Sequence, residues 1–256
     1  MRSMLFGTNW KMNKTREEAK RYCQVLKTGL SEIDDSVTLF IIPPYTSIDI
    51  LVSELKDTKI KLGVQNIYYE KSGPFTGEIS ALMAKDAGAQ IIEIGHSDRR
   101  TLFNDTDEII ARKTRASIDN GLIPLICVGE NEDIFNMKQS ISYVRGQVAM
   151  SLSLLEKRIE QELWIAYEPL WAIGTKGKPA SPDHIEDVHQ GIREELYNAL
   201  PGWNISKIPI LYGGSVNRIN ADNILCRRNV NGLFIGRAAD EPNQLLELIQ
   251  LAGGNK

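Results

Sequence analysis

Ile165-Ala166-Tyr167-Glu168-Pro169-Leu170-Trp171-Ala172-Ile173-Gly174 sets a carboxylate at the end of an apolar run and follows it at once with proline, tryptophan and glycine. A glutamate held at a strand terminus in a dry pocket can act as a general base, and proline stiffens the first step of a loop able to close over it. Surface loops carry such residues too, so the chemistry depends on which other polar groups converge on Glu168. Candidates stand at the ends of other apolar runs: Asn9-Trp10-Lys11-Met12-Asn13, Gly95-His96-Ser97-Asp98-Arg99-Arg100, Gly129-Glu130, Gly213-Gly214-Ser215 and Gly236-Arg237. Amide, ammonium, imidazole and carboxylate together suit proton transfer, while the bare backbone N–H groups of glycine turns suit a phosphate. A small phosphorylated substrate is expected.

These groups meet only if the runs that carry them lie side by side. Short β-branched runs recur at 4–8, 37–42, 60–65, 91–95, 123–128, 163–167, 208–212 and 232–235, with charged, helix-like segments such as 15–30, 105–120, 182–200 and 243–251 between them. Thr15 with Glu18 has the spacing of a capping box, and Ser181 before Pro182 places a capping hydroxyl ahead of a first-turn proline. Runs that are apolar almost throughout imply strands buried on both faces, as in a parallel sheet wrapped by helices. Eight such units in 256 residues predict one α/β domain over 1–256, a closed (β/α)8 barrel; an open doubly wound sheet is the alternative. In a barrel the chemistry belongs at the C-terminal ends of the strands, where all these polar groups stand.

Composition narrows the classes. The apolar fraction of 42% suits a packed core, and a net charge of -3 with interspersed signs gives no field for nucleic acid or an acidic membrane. No apolar run approaches the roughly 18 residues of a membrane span, and the N-terminus lacks the apolar stretch of a secretory signal. A cytoplasmic protein is expected. Cys23, Cys127 and Cys226 are odd in number and far apart, which suits free thiols. His184 and His189 are five apart and do not share a helix face as a metal-binding i, i+4 pair would. Gly177-Lys178 lacks the first glycine and the hydroxyl of a nucleotide-binding loop, having Ala172 and Pro179 there, and no G-x-G-x-x-G opens a helix.

Five segments in order, Asn9-Trp10-Lys11-Met12-Asn13, Phe75-Thr76-Gly77-Glu78, Gly95-His96-Ser97, Tyr167-Glu168-Pro169 and Tyr212-Gly213-Gly214-Ser215-Val216, resemble the triosephosphate isomerase family. The resemblance runs from the first strand to the last and implies a TIM barrel, an aldose-ketose isomerisation through a cis-enediolate, and no metal or organic cofactor. It implies that Glu168 moves the proton between adjacent carbons, that neutral His96 polarises the carbonyl, and that Lys11 and Asn9 steady the charge and the oxygens. Backbone N–H groups at Gly174, Ser215 and Gly236 would grip the phosphate. Pro169 and Trp171 would belong to the lid, with Glu130 receiving the Trp171 N–H in the open state and Ser97 supporting the site. The 65–78 loop resembles the family's dimer loop, in which Thr76 reaches the partner's site, so a homodimer is expected.

The match departs at four places. The 174–180 lid is one residue longer than usual and carries Pro179; Arg237 stands where a second glycine is usual; Pro74 replaces alanine in the dimer loop; Asp98 replaces the glutamate after the histidine. The lid together with Gly236-Arg237 is similar to a side branch, the erythrulose-phosphate isomerases. The expected reaction interconverts dihydroxyacetone phosphate and glyceraldehyde 3-phosphate, with a tetrulose phosphate as the alternative substrate and a non-catalytic phosphate-binding barrel as the remote one.

Overall fold

The computed structural model describes residues 4–156, 161–174 and 177–253. Eight parallel strands, β1 (Met4–Asn9), β2 (Val37–Ile42), β3 (Lys61–Val64), β4 (Ile91–Ile94), β5 (Ile123–Val128), β6 (Trp164–Tyr167), β7 (Ile210–Tyr212) and β8 (Gly232–Ile235), pair in chain order and close into a barrel. The open-sheet alternative is excluded, because β8 pairs with β1 in the register Leu5 to Gly232 through Thr8 to Ile235. The connecting helices are α1 (Arg16–Gly29), α2 (Ile48–Leu55), α3 (Ala81–Asp86), α4 (Ser97–Leu102), α5 (Asp107–Asp119), α6 (Glu132–Asn136), α7 (Ser140–Ser151), α8 (Pro182–Ala199), α9 (Ala221–Leu225) and α10 (Pro242–Gly253). None of the helices among the described residues is long and apolar enough to cross a membrane.

The period of two along each strand sorts the side chains into two cores. Leu5, Phe40, Ile42, Ile91, Leu125, Cys127, Trp164, Ala166, Leu211 and Phe234 fill the barrel, while Phe6, Ile41, Ile92, Ile94, Ile126 and Ile165 face the helices. Thr15 and Glu18 form both halves of the capping box on α1, and the Ser181 hydroxyl accepts from the His184 N–H ahead of Pro182 on α8. β7 begins two residues later than its apolar run: Ile205–Lys207 make a 3-10 turn, and Pro209 next to them has no N–H to give a ladder. Cys23 and Cys127 are buried free thiols and Cys226 an exposed one.

Candidate active site

Glu168 follows β6 at the C-terminal rim and is 4% exposed. Its backbone N–H donates to the Val128 carbonyl at 2.7 Å, which continues the β5–β6 ladder one residue past the strand. Glycines make room for it. A Cβ on Gly129 would land on the Glu168 carbonyl, and one on Gly213 would lie 2.9 Å from Glu168 Cγ. The carboxylate then points inward, Oε2 accepting from the Ser97 N–H at 3.4 Å and Oε1 lying 3.7 Å from His96 Nε2.

His96 stands at the N-cap of α4, where its Nδ1 accepts the Asp98 N–H at 3.0 Å. That bond occupies the Nδ1 lone pair, so the neutral ring assigned from it carries its hydrogen on Nε2, the nitrogen that faces Glu168. Lys11 holds a left-handed backbone, φ 52°. Asn9 Oδ1 accepts the Lys11 N–H at 2.6 Å and Gln65 Nε2 at 3.0 Å, and Gln65 also donates to the Lys11 carbonyl at 2.7 Å. These three bonds fix the turn that aims Lys11 across the rim, where Nζ meets Asp98 Oδ2 at 3.0 Å. Both partners of that pair are partly exposed, so it places the lysine more than it stabilises the fold.

A cavity of about 520 Å³ opens over these groups, lined by Asn9, Lys11, His96 and Glu168 on one side and by Gly174, Gly213, Gly214, Ser215, Gly236 and Arg237 on the other. One end is therefore set for proton transfer and the other is rich in bare backbone. Arg237 departs from that pattern, its guanidinium donating to the Gly174 carbonyl across the cavity mouth. Thr76 is exposed in the 65–78 loop and lines no part of the cavity.

The lid starts at Pro169 and continues through a 3-10 turn, Leu170–Ala172. Trp171 Nε1 donates to Glu130 Oε1 at 2.8 Å, and the same oxygen accepts from the Tyr167 hydroxyl and from Ser140 Oγ, each at 3.0 Å. Trp171 stacks on Phe135 with centroids 4.0 Å apart. Burial alone would push the Glu130 carboxyl up, but the His184 ring 3.7 Å away and hydrogen bonds from Trp171 and Ser140 outweigh it and hold the group below its ordinary value. His184, from the first turn of α8, joins this cluster through the Tyr167 hydroxyl at 3.0 Å. Of the longer lid segment, Thr175 and Lys176 lie outside the described residues.

Sequence reading missed Glu93. It occupies an inward position of β4, two residues beyond Ile91, and is fully buried. Asn9 Nδ2 donates to both of its oxygens, at 3.0 and 2.8 Å. One atom from each of Glu93, His96 and Glu168 lies within 4.8 Å of the other two. The clue was the alternation within Ile91-Ile92-Glu93-Ile94, which puts a carboxyl inside the barrel just below the rim.

Burial, opposed by His96 and reinforced by Glu168, raises the Glu93 carboxyl from an ordinary 4.5 to about 7. The folded state therefore holds this proton where the unfolded state has lost it. The contribution of Glu93 to stability is fully present below pH 4.5 and is lost, about 3 kcal/mol in all, as the pH rises to about 7. Urea denaturation of the protein and of Glu93→Gln at pH 4.5 and 7.5 measures it: this decline should be smaller in the variant. An equal decline in both would refute the assignment.

The family model for triosephosphate isomerase matches residues 4–252. An L-erythrulose-1-phosphate isomerase of Mesorhizobium japonicum is 40% identical over 95% of this chain and 94% of its own length. The corresponding enzyme of Rhizobium meliloti is 38% identical, over 95% and 94%. A triosephosphate isomerase of Aquifex aeolicus is 39% identical over 96% of this chain and 98% of its own. With a closed eight-stranded barrel and a match over nearly its whole length, the chain belongs to the triosephosphate isomerase family.

Proposed function

We propose that this chain isomerises a short ketose phosphate by moving one proton between adjacent carbons through an enediolate. The observation that carries this reading is the facing of a buried carboxylate and an imidazole: Glu168 Oε1 lies 3.7 Å from His96 Nε2 at the floor of a cavity whose far end is glycine backbone. Glu168 takes the proton from the carbon beside the carbonyl and returns it to the neighbouring carbon. The Nε2–H of His96 donates to the carbonyl oxygen as negative charge gathers there, and Lys11 adds a full positive charge from the rim. The backbone around Gly174, Ser215 and Gly236 holds the phosphate, and closure of the lid from Pro169 onward keeps water from the enediolate. Trp171 leaves Glu130 when the lid closes. A cytoplasmic homodimer, with Thr76 reaching the partner's site, is the assembly in which we place this reaction.

The first substrate reading is the triose pair, dihydroxyacetone phosphate and D-glyceraldehyde 3-phosphate, in keeping with the Aquifex relative. The second is L-erythrulose 1-phosphate. Arg237 favours it, a bulky cation at the phosphate end of the cavity, as do the names of the Mesorhizobium and Rhizobium relatives. One added hydroxymethyl changes selectivity by only about 1 to 3 kcal/mol, so turnover must decide. Initial rates on both substrates, measured side by side with the same preparation, test it. Comparable or faster triose turnover supports the first reading; a triose rate hundreds of times below the tetrulose rate sinks it and establishes the second.

A further inference from the structure

A carboxyl without a task in that scheme lies directly under it. Glu93 is fully buried, and the inward side chains of neighbouring strands include Ile91, Leu125, Cys127 and Ala166. An aliphatic side chain would fill such a position without the cost of burying a carboxyl, so the group is explained by what it touches. Asn9 Nδ2 from β1 donates to both of its oxygens, at 3.0 and 2.8 Å. Cys127 Sγ from β5 lies 3.9 Å from Oε1. His96 after β4 and Glu168 after β6 each place an atom within 4.8 Å of it. Lys11 also acts on it, as a positive charge that lowers its pKa. Asn9 in turn carries the Lys11 turn through its Oδ1.

We propose that Glu93 is a positioning residue for the proton transfer: it anchors the Asn9 amide beneath the substrate and acts as a second carboxyl coupled to Glu168. This role rests on the isomerase reading above. Two carboxyls this close feel each other's charge, and Glu168 acts on Glu93 in the direction that keeps its proton on. The reaction needs Glu168 ionised. Ionised Glu93 would put a second negative charge within 4.8 Å of His96 and Glu168 and oppose the charge that gathers on the substrate, so Glu93 serves the reaction in its protonated form.

Glu93→Gln keeps the shape and removes the charge. The limb of kcat/KM near pH 7, where ionisation of Glu93 lowers the wild-type rate, should then disappear. The amide of this variant also offers Asn9 one acceptor in place of two, so kcat at the plateau should fall about tenfold with little change in KM. Glu93→Asp keeps the charge but shortens the reach; it should lose kcat and leave the limb near its original place. Wild-type kcat and limb in Glu93→Gln would overturn the proposal. So would a lower kcat with an unmoved limb, the pattern of simple structural damage. A titration of the glutamate carboxyls by 13C NMR in the substrate-free protein needs no turnover, and Glu93→Gln should lack a step near pH 7 seen in the wild type. A wild type that lacks this step while turning over a sugar phosphate overturns the proposal alone. Turnover of neither substrate overturns the isomerase reading, and the role of Glu93 falls with it.

Discussion

Glu168→Gln is expected to lower kcat roughly a thousandfold or more, about 4 kcal/mol of barrier, while leaving the barrel folded and phosphate bound. The size follows from what the substitution leaves in place. The substituted amide has the shape of the carboxylate, so it still fits between Gly129 and Gly213 and can still accept the Ser97 N–H, and the pocket keeps its form. Only the ability to take a proton is lost. Steady-state rates with the better of the two sugar phosphates, together with calorimetric titration of inorganic phosphate, measure both halves. Turnover within tenfold of wild type would remove Glu168 as the base. Lost phosphate affinity with a normal melting temperature would place it in binding instead.

Gly232→Ala is expected to destabilise the fold by roughly 4 kcal/mol, lowering the melting temperature by about 10 °C. Gly232 is paired with Leu5 where the last strand meets the first, and its φ is 156°. An added Cβ would sit on the Leu5 carbonyl oxygen, within backbone that no rotamer change can move aside. Relief requires the β8–β1 ladder to part. Gly146→Ala, on α7 with open space at its Cβ, is the control and should be neutral or slightly stabilising. Equal melting temperatures for the two variants would show that the seam tolerates a side chain.

The barrel was legible because parallel strands buried on both faces must be apolar along their length, and three of the eight runs have the strand bounds as read. Edges were less so, since an apolar run continues past the strand; Ile208 and Pro209 extend the β7 run, and the Pro209 carbonyl accepts the Ile165 N–H at 3.1 Å although its own nitrogen has no hydrogen to give. The convergence of Asn9, Lys11, His96 and Glu168 on one cavity follows from their places at strand ends, which barrel geometry brings together. Partners chosen by side-chain packing were another matter. Glu93 was absorbed into a run of isoleucines, although alternation alone placed it inside. His184 was considered only as a metal ligand, and its place beside Tyr167 depends on how the first turn of α8 docks against β6. Nothing in Gly236-Arg237 indicated that the guanidinium would reach the Gly174 carbonyl.

The pairing of Leu5 with Gly232 also governs how the chain can be made. During synthesis β1 emerges well before β8, one of its two ladder partners, has left the ribosome. Until then an edge of the growing sheet stays open, with unpaired N–H and C=O groups able to capture another strand. Truncation ahead of Gly232 would remove β8 and α10 together, leaving a permanent edge rather than a shortened barrel. The seam between β8 and β1 thus acts as a quality check on synthesis: only a product that carries β8 can bury its first strand on both sides.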